Sequence, residues 1–278
     1  MTARSAPTGA FGRTPYYVLT GGLAILFLFP LVWSLFASVS PQAATAQRVG
    51  YGFGNYTTLF TFGAGLPQVA FNSFYMSGLT VIITLVISSL GGYAFARFTF
   101  WGRDALFLLT LSILMVPFAT LIIPLYVLLN TLGLSNSLIG VALVVAMFQL
   151  PFATYMMRIS FEAIPRELEE SALIDGCGTF GVLWRVMLPS VIPGLVTVGL
   201  FAFLAAWNEF FAPLIMLTDP AKQTLPVAVA NLRQQTMGAI DYGATEAGVT
   251  VMALPCVILF LLLQRYYVRG FMSGAVKG

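Results

Sequence analysis

The sequence predicts an all-α polytopic membrane protein of six transmembrane helices, and three observations predict it. The chain has 278 residues, 59% hydrophobic and only 8% charged, with a mean hydropathy of +0.91. A soluble domain carries about 25% charge. Apolar runs of about 20 residues recur, the length needed to cross a ~30 Å hydrocarbon core. The alternating segments of about 10 residues that mark a transmembrane barrel do not occur.

The composition also excludes chemistry. There is no histidine, which removes His-based triads, His metal sites and His proton relays, so no catalytic and no metal-ligating residues are expected. The net charge of +3 is dispersed, and no nucleic acid is expected as a partner. Cys177 falls in a polar loop and Cys256 mid-span, so no disulfide is implied. Cys256 reads as a small buried apolar residue.

The elements follow in order. Residues 1–15 are polar, with Arg4 and Arg13, and read as a short cytoplasmic tail. The first span is expected at 16–38. A signal peptide is the competing reading, but its apolar core is about 7–15 residues and this run is longer. Residues 39–71 form a loop rich in Gly, Gln, Thr and aromatics; its sequon Asn55-Tyr56-Thr57 carries no functional weight. The second span, 73–96, contains SSLGGYAFA, small residues that let neighbouring helices approach closely. After the basic turn RFTFWGRD, the third span at 105–129 holds Pro117 and Pro124, and the fourth at 138–157 holds Pro151. Each proline removes an intrahelical bond and kinks the helix, as a structural bend or as a hinge for motion. The fifth span is expected at 191–217. A polar loop over 218–245 carries Lys222, Arg233 and Asp241, and the sixth span, 246–268, carries Pro255.

Six spans put both termini on one side. With the ends inside, cytoplasmic segments hold ten basic residues (Arg4, Arg13, Arg97, Arg103, Arg158, Arg166, Arg185, Arg265, Arg269 and Lys277) against three outside, Arg48, Lys222 and Arg233. That bias predicts cytoplasmic termini and a cytoplasmic segment at 158–189.

This segment concentrates the charge. Glu162, Arg166, Glu167, Glu169, Glu170 and Asp175 all fall within it. Pro165 suits a first helical position, Arg166 and Glu170 are spaced as an i,i+4 pair, and the acids favour a helix N-terminus. Gly176 suits the left-handed conformation that ends a helix. Thr179 suits the cap of a second short helix toward Trp184, which joins the fifth span near Pro189. The hairpin is expected to expose Leu168, Ala172, Leu173 and Phe180, with Ala172 and Gly176 leaving room for another backbone. Two readings stay open from the residues alone: an elbow resting on lipid headgroups, or a docking helix for a cytosolic partner. The acids oppose the first, since anionic lipid attracts Lys and Arg.

Here the chain resembles a known family. Permease subunits of bacterial ATP-binding-cassette importers carry a cytoplasmic motif of E-A-A, three residues, G, nine residues, I, any residue, L-P. This chain has Glu170-Ser171-Ala172, then Gly176, then Val186 and Leu188-Pro189 at the same spacing, with Ser171 and Val186 as conservative departures. NYTTLF at 55–60, Asn72-Ser73, YAFARFTFWGR at 93–103, AWNEFFAPLIML at 206–217 and QRYYVRGFMSGAVKG at 264–278 are similar to the sugar-importing branch, in particular the shorter six-span subunit of the maltose-type pair.

The resemblance implies a type I ABC importer permease fold in a prokaryotic plasma membrane. It implies a heterodimer with a second permease, two cassette ATPase subunits and an extracytoplasmic sugar-binding protein. Glu170, Ser171, Ala172, Asp175, Gly176, Leu188 and Pro189 are then the candidates for coupling to the ATPase. ATP and Mg are expected on that partner, with no cofactor on this chain. The absence of G-x-x-x-x-G-K-[ST] agrees, because energy must then come from another chain unless transport is passive or ion-coupled.

Glu209 is expected well inside the fifth span, where an acid costs about 2.5–3.5 kcal/mol and faces a cavity or a partner. With Asn208 beside it, and with Gln149 in the fourth span, it is a candidate for the substrate path; a structural polar pair is the simpler alternative. Gln234 and Gln235 in the outer loop are candidate contacts for the binding protein, with a plain connecting loop as the alternative. An autonomous ion-coupled carrier or channel remains as a second reading, but such proteins bury several ionisable groups along their path. An intramembrane enzyme lacks a nucleophile–base pair.

Overall fold

A computed structural model describes residues 10–41, 51–234 and 241–275. Among these, every regular element is helical. In chain order they are α1 (Ala10–Val39), α2 (Gly54–Thr61), α3 (Leu66–Arg97), α4 (Arg103–Ser112), α5 (Phe118–Thr131), α6 (Leu138–Glu162), α7 (Arg166–Ile174), α8 (Thr179–Val182), α9 (Leu188–Ser190), α10 (Ile192–Trp207), α11 (Phe211–Met216), α12 (Leu225–Gln234) and α13 (Tyr242–Ala275). Among the described residues, four helices are long and apolar enough to cross a membrane, or six if each of two bent pairs is one span.

The chain divides into two compact units, 1–60 with 232–251, and 61–231 with 252–278. In the first, α1 presents apolar side chains outward along its length, as a helix in lipid requires. The Asn55 side chain ties α2 to the end of α1, donating to Ser38 O at 2.8 Å and Ser40 O at 3.1 Å. Asn55 is buried, so the sequon asparagine is committed to the fold.

The second unit is built on α3, α6 and α10. Ser73, Ser77, Thr80, Thr84 and Ser88 recur every three or four residues along α3 and are all fully buried, which puts them on one face. Small side chains there let a second backbone come close, as packing in a membrane demands. The approach is tightest at Gly92, where a Cβ would lie 2.6 Å from Met157 Cβ and 2.9 Å from Arg158 N. Two apolar clusters flank this contact. One joins Met76, Val141, Val145, Ala206 and Met216 to Ile122 and Leu129 of α5. The other joins Tyr93, Met157 and Phe161, at the C-terminal ends of α3 and α6, to Ala172, Val182 and Met187.

Two expected spans are not continuous helices. The stretch 105–129 is α4, a 3-10 turn at Ile113–Met115 and α5, bent by 103°. Pro117 stands at the N-cap of α5 with ψ 128°, so the chain is extended there and the helix restarts. Pro124 and Pro151 lie inside α5 and α6, which continue through them. The stretch 191–217 is α10 and α11, separated at Asn208–Phe210.

Candidate coupling site

Between α6 and α10 the chain forms a short, charged helical hairpin. Helix α7 starts one residue later than the sequence suggests: Pro165 is the N-cap, with φ −57° and ψ 139°, and Arg166 is the first helical residue. Glu167 and Glu169 occupy the first turn, where carboxylates complement the helix dipole. The helix ends in a Schellman motif. Gly176 has φ +86°, its N–H donates to Leu173 O at 3.1 Å, and the Cys177 N–H donates to Ala172 O at 3.0 Å. A Cβ on Gly176 would meet nothing within 4 Å in this chain, so within the chain the glycine is required by its backbone conformation.

Helix α8 departs from expectation at its start. Gly178 is its N-cap, and Thr179 is the first helical residue, making no side-chain cap. A π-helical turn, Leu183–Met187, follows, with the Leu188 N–H reaching back to Leu183 O. Pro189 lies just beyond, without the N–H that an α-helix would direct at Arg185 O. At Val191 the chain bends by 79° into α10.

The hairpin has two faces. Ala172, expected to be exposed, is 9% exposed and packs with Tyr93, Phe161, Val182, Leu183 and Met187. Helix phase explains this: Ala172 lies one turn beyond Glu169, on the side turned toward α3 and α6. Leu188 is partly buried against the same cluster. Glu170, Ser171, Asp175, Gly176 and Pro189 are exposed. The outer face also shows apolar side chains: Ile174 is 86% exposed, Phe180 74% and Trp184 67%.

Arg166 and Glu170 do not pair. Among the described residues, the ion pairs are Arg97–Glu169, Arg103–Asp104 and Arg158–Glu162. The first is the anchor of the hairpin. Arg97 is the last residue of α3, with a side chain 5% exposed, and its Nε lies 3.3 Å from Glu169 Oε2. That contact is close without being an aligned hydrogen bond. Its Nη2 donates to Phe161 O at 2.8 Å and Ile164 O at 2.6 Å, at the end of α6. The Tyr93 hydroxyl donates to Glu169 Oε1 at 2.6 Å. A cation thus sits where the C-terminus of α6 presents its carbonyls, as the dipole favours. Stranding the buried Arg97 cation by removing its partner costs up to about 3–5 kcal/mol. Tyr93 and Arg97 stand in the 93–103 stretch that resembles the family, but their pairing with the hairpin was not read from sequence, because their partners lie 76 and 64 or more residues away.

The other candidates are dispersed. Glu209 is not inside a helix: it is partly buried in the break before α11, whose N-cap is Phe210, and its Oε1 accepts the Ala212 N–H at 3.0 Å, one of the free donors of the first turn. Asn208 is exposed and donates to Leu204 O at 2.8 Å. Gln149 is partly buried on α6, and no hydrogen bond links it to Asn208 or Glu209. Gln234 closes α12, but its side chain and the whole of Gln235 lie outside the described residues. The loop before α12 is held by Asn72, Ser73 and Lys222, whose contacts there the sequence did not reveal. Asn72 Nδ2 donates to Ala221 O and Gln223 O, each at 2.9 Å. The Leu225 N–H donates to Ser73 Oγ at 2.7 Å, and Lys222 Nζ to Asn136 O at 2.9 Å.

Comparison with known proteins places this architecture. Residues 87–272 match the family model described as binding-protein-dependent transport system inner membrane component. The chain is 33% identical over 273 residues to the diacetylchitobiose uptake system permease protein of Streptomyces coelicolor, covering 96% of this chain and 98% of the relative. It is 32% identical over 272 residues to the sulfoquinovosyl glycerol transport system permease protein of Agrobacterium fabrum, covering 96% and 95%. The fold is shared with the crystal structure of a bacterial ABC transporter involved in import of the acidic polysaccharide alginate, with a TM-score of 0.76 at 21% identity, covering 96% of this chain and 100% of that one. This chain is therefore a multi-pass membrane protein belonging to the family of inner membrane components of binding-protein-dependent transport systems.

Proposed function

We propose that the chain is one permease subunit of an ATP-driven carbohydrate importer, forming half of a translocation path with a second permease. In this reading both termini and the α7–α9 hairpin face the cytoplasm, and two cassette ATPases carry the ATP and Mg and do the hydrolysis. An extracytoplasmic binding protein delivers the substrate to the outer side. The chain itself is a transport subunit and not an enzyme. The observation that carries the reading is the hairpin: a charged helix, α7, with Ile174 turned outward at its end, followed by the exposed Phe180 of α8 and Trp184 of the π-helical turn. Large exposed apolar side chains beside an acidic helix suit a protein cleft better than water or anionic headgroups. The substrate class rests on the named relatives, whose substrates, diacetylchitobiose and sulfoquinovosyl glycerol, both carry sugar units.

The test is to tag this chain in its own cells and purify it from membranes in mild detergent. A stoichiometric ATPase should co-purify. Glu170→Ala and Ile174→Asp should insert normally yet lose ATPase retention or ATP-driven uptake. Full retention and full uptake in both variants, at matched membrane levels, would reject the docking role. Thermal shift of the binding protein that supports uptake, against a panel of oligosaccharides, identifies the sugar.

A further inference from the structure

We propose that Arg97 is a positioning residue that makes α7 and the C-terminal ends of α3 and α6 one rigid body. A push on α7 then turns both spans instead of flexing the links that hold it. The proposal rests on the reading that α7 receives a push from a partner, and goes beyond it by naming how the push reaches the membrane.

The covalent links to α7 are compliant. It joins α6 through Ala163, Ile164 and Pro165, and it joins α8 through Asp175 to Gly178, all outside regular helix. The route from α8 to α10 then passes a π-helical turn and a 79° bend. A force sent by these routes would be lost in bending. The apolar packing of Ala172 against Phe161 and Met187 resists separation but offers little resistance to sliding, because dispersion contacts have no preferred direction.

Arg97 supplies the missing direction. Its planar guanidinium fork sends Nη2 to Phe161 O in the last turn of α6 and to Ile164 O in the link just beyond it, and brings Nε against Glu169 of α7. The second carboxylate oxygen of Glu169 is taken by Tyr93, one turn back on α3. Tyr93 is itself wedged edge-on against Phe161, with ring centroids 5.5 Å apart. Three helices thus meet at one carboxylate and one guanidinium, the guanidinium almost closed to water and the carboxylate partly so. The adjacent acids divide the work: Glu169 faces the spans, and Glu170 faces outward.

The test uses the complete transporter, isolated through a tag on this chain and placed in lipid nanodiscs, with MgATP and vanadate as the probe. Backbone amide exchange is read at 90–100 and 155–164 with and without the probe, beside the amount of bound ATPase and trapped nucleotide. In the wild type, the probe alters exchange at both span ends. Arg97→Gln and Glu169→Gln should keep ATPase and trapped nucleotide within about twofold of wild type, while the response at the span ends falls at least about fivefold. Arg97→Lys retains the charge without the fork and should keep an intermediate response; Tyr93→Phe should lose less than Arg97→Gln. If Arg97→Gln does not reach the membrane, Glu169→Gln on the short helix decides the point. An unchanged response in Glu169→Gln overturns the proposal and leaves the docking reading intact. Loss of the ATPase from the variants also overturns it, since Arg97 would then only shape the docking surface. A wild-type complex without ATPase, or without any response to the probe, defeats the docking reading itself.

Discussion

Gly176 gives the sharpest quantitative expectation. Its φ is +86°, a region that costs an L-residue about 1–2 kcal/mol. A Cβ would meet nothing within 4 Å, so no clash adds to this and no new contact offsets it. Alanine should therefore loosen the end of α7 by about 1 kcal/mol, or about fivefold in local opening. Asparagine, which tolerates the left-handed region, should cost less; valine, stiff at χ1, should cost about 2 kcal/mol or more. The motif lost is specific: the Gly176 and Cys177 N–H bonds to Leu173 O and Ala172 O. Amide exchange at residues 176 and 177 in the detergent-solubilised protein reads it directly. The order glycine, asparagine, alanine, valine should appear in rising exchange rate. Exchange equal in all four, or alanine slower than glycine, would refute the backbone argument.

Two further expectations concern the fold around the site. At Gly92 the reason for glycine is space, so Gly92→Ala must push α3 from α6 against Met157 Cβ at 2.6 Å; about 1–3 kcal/mol is expected, seen as a melting temperature lower by several degrees. An unchanged melting temperature contradicts the close approach. Asn72→Ala removes both tethers to Ala221 O and Gln223 O, at about 1–3 kcal/mol. Limited trypsin digestion should then cut after Lys222 several-fold faster, and an unaltered cleavage rate would show that the loop is held by other means.

Much of this was legible in the residues. The spacing from Glu170 to Pro189 marked the hairpin, Gly176 carried the signature of a helix end, and the Ser and Gly run of α3 marked a close helix contact. What escaped has physical causes. Whether Pro117 or Pro124 breaks a helix depends on how neighbours satisfy the freed carbonyls, which one chain segment does not encode. Glu209 read as an acid within a span because the apolar run continues past it, and the helix break at Asn208–Phe210 leaves no local mark in that run. Ala172 was expected outside because small residues suit both partner contacts and internal packing. The Arg97–Glu169 pair was hidden by sequence separation. Its one local clue is that Glu169 and Ala172 share a helix face, so if one is turned inward the other is too.

A photocross-linking residue at position 174, in the transporter as assembled in its own membranes, tests the central claim most directly. The account predicts efficient capture of the ATP-hydrolysing chain from this site, where Ile174 is 86% exposed, and none from Phe27 on α1, which is 74% exposed on a span. Capture of lipid alone from position 174, or equal capture of the ATPase from position 27, would contradict it.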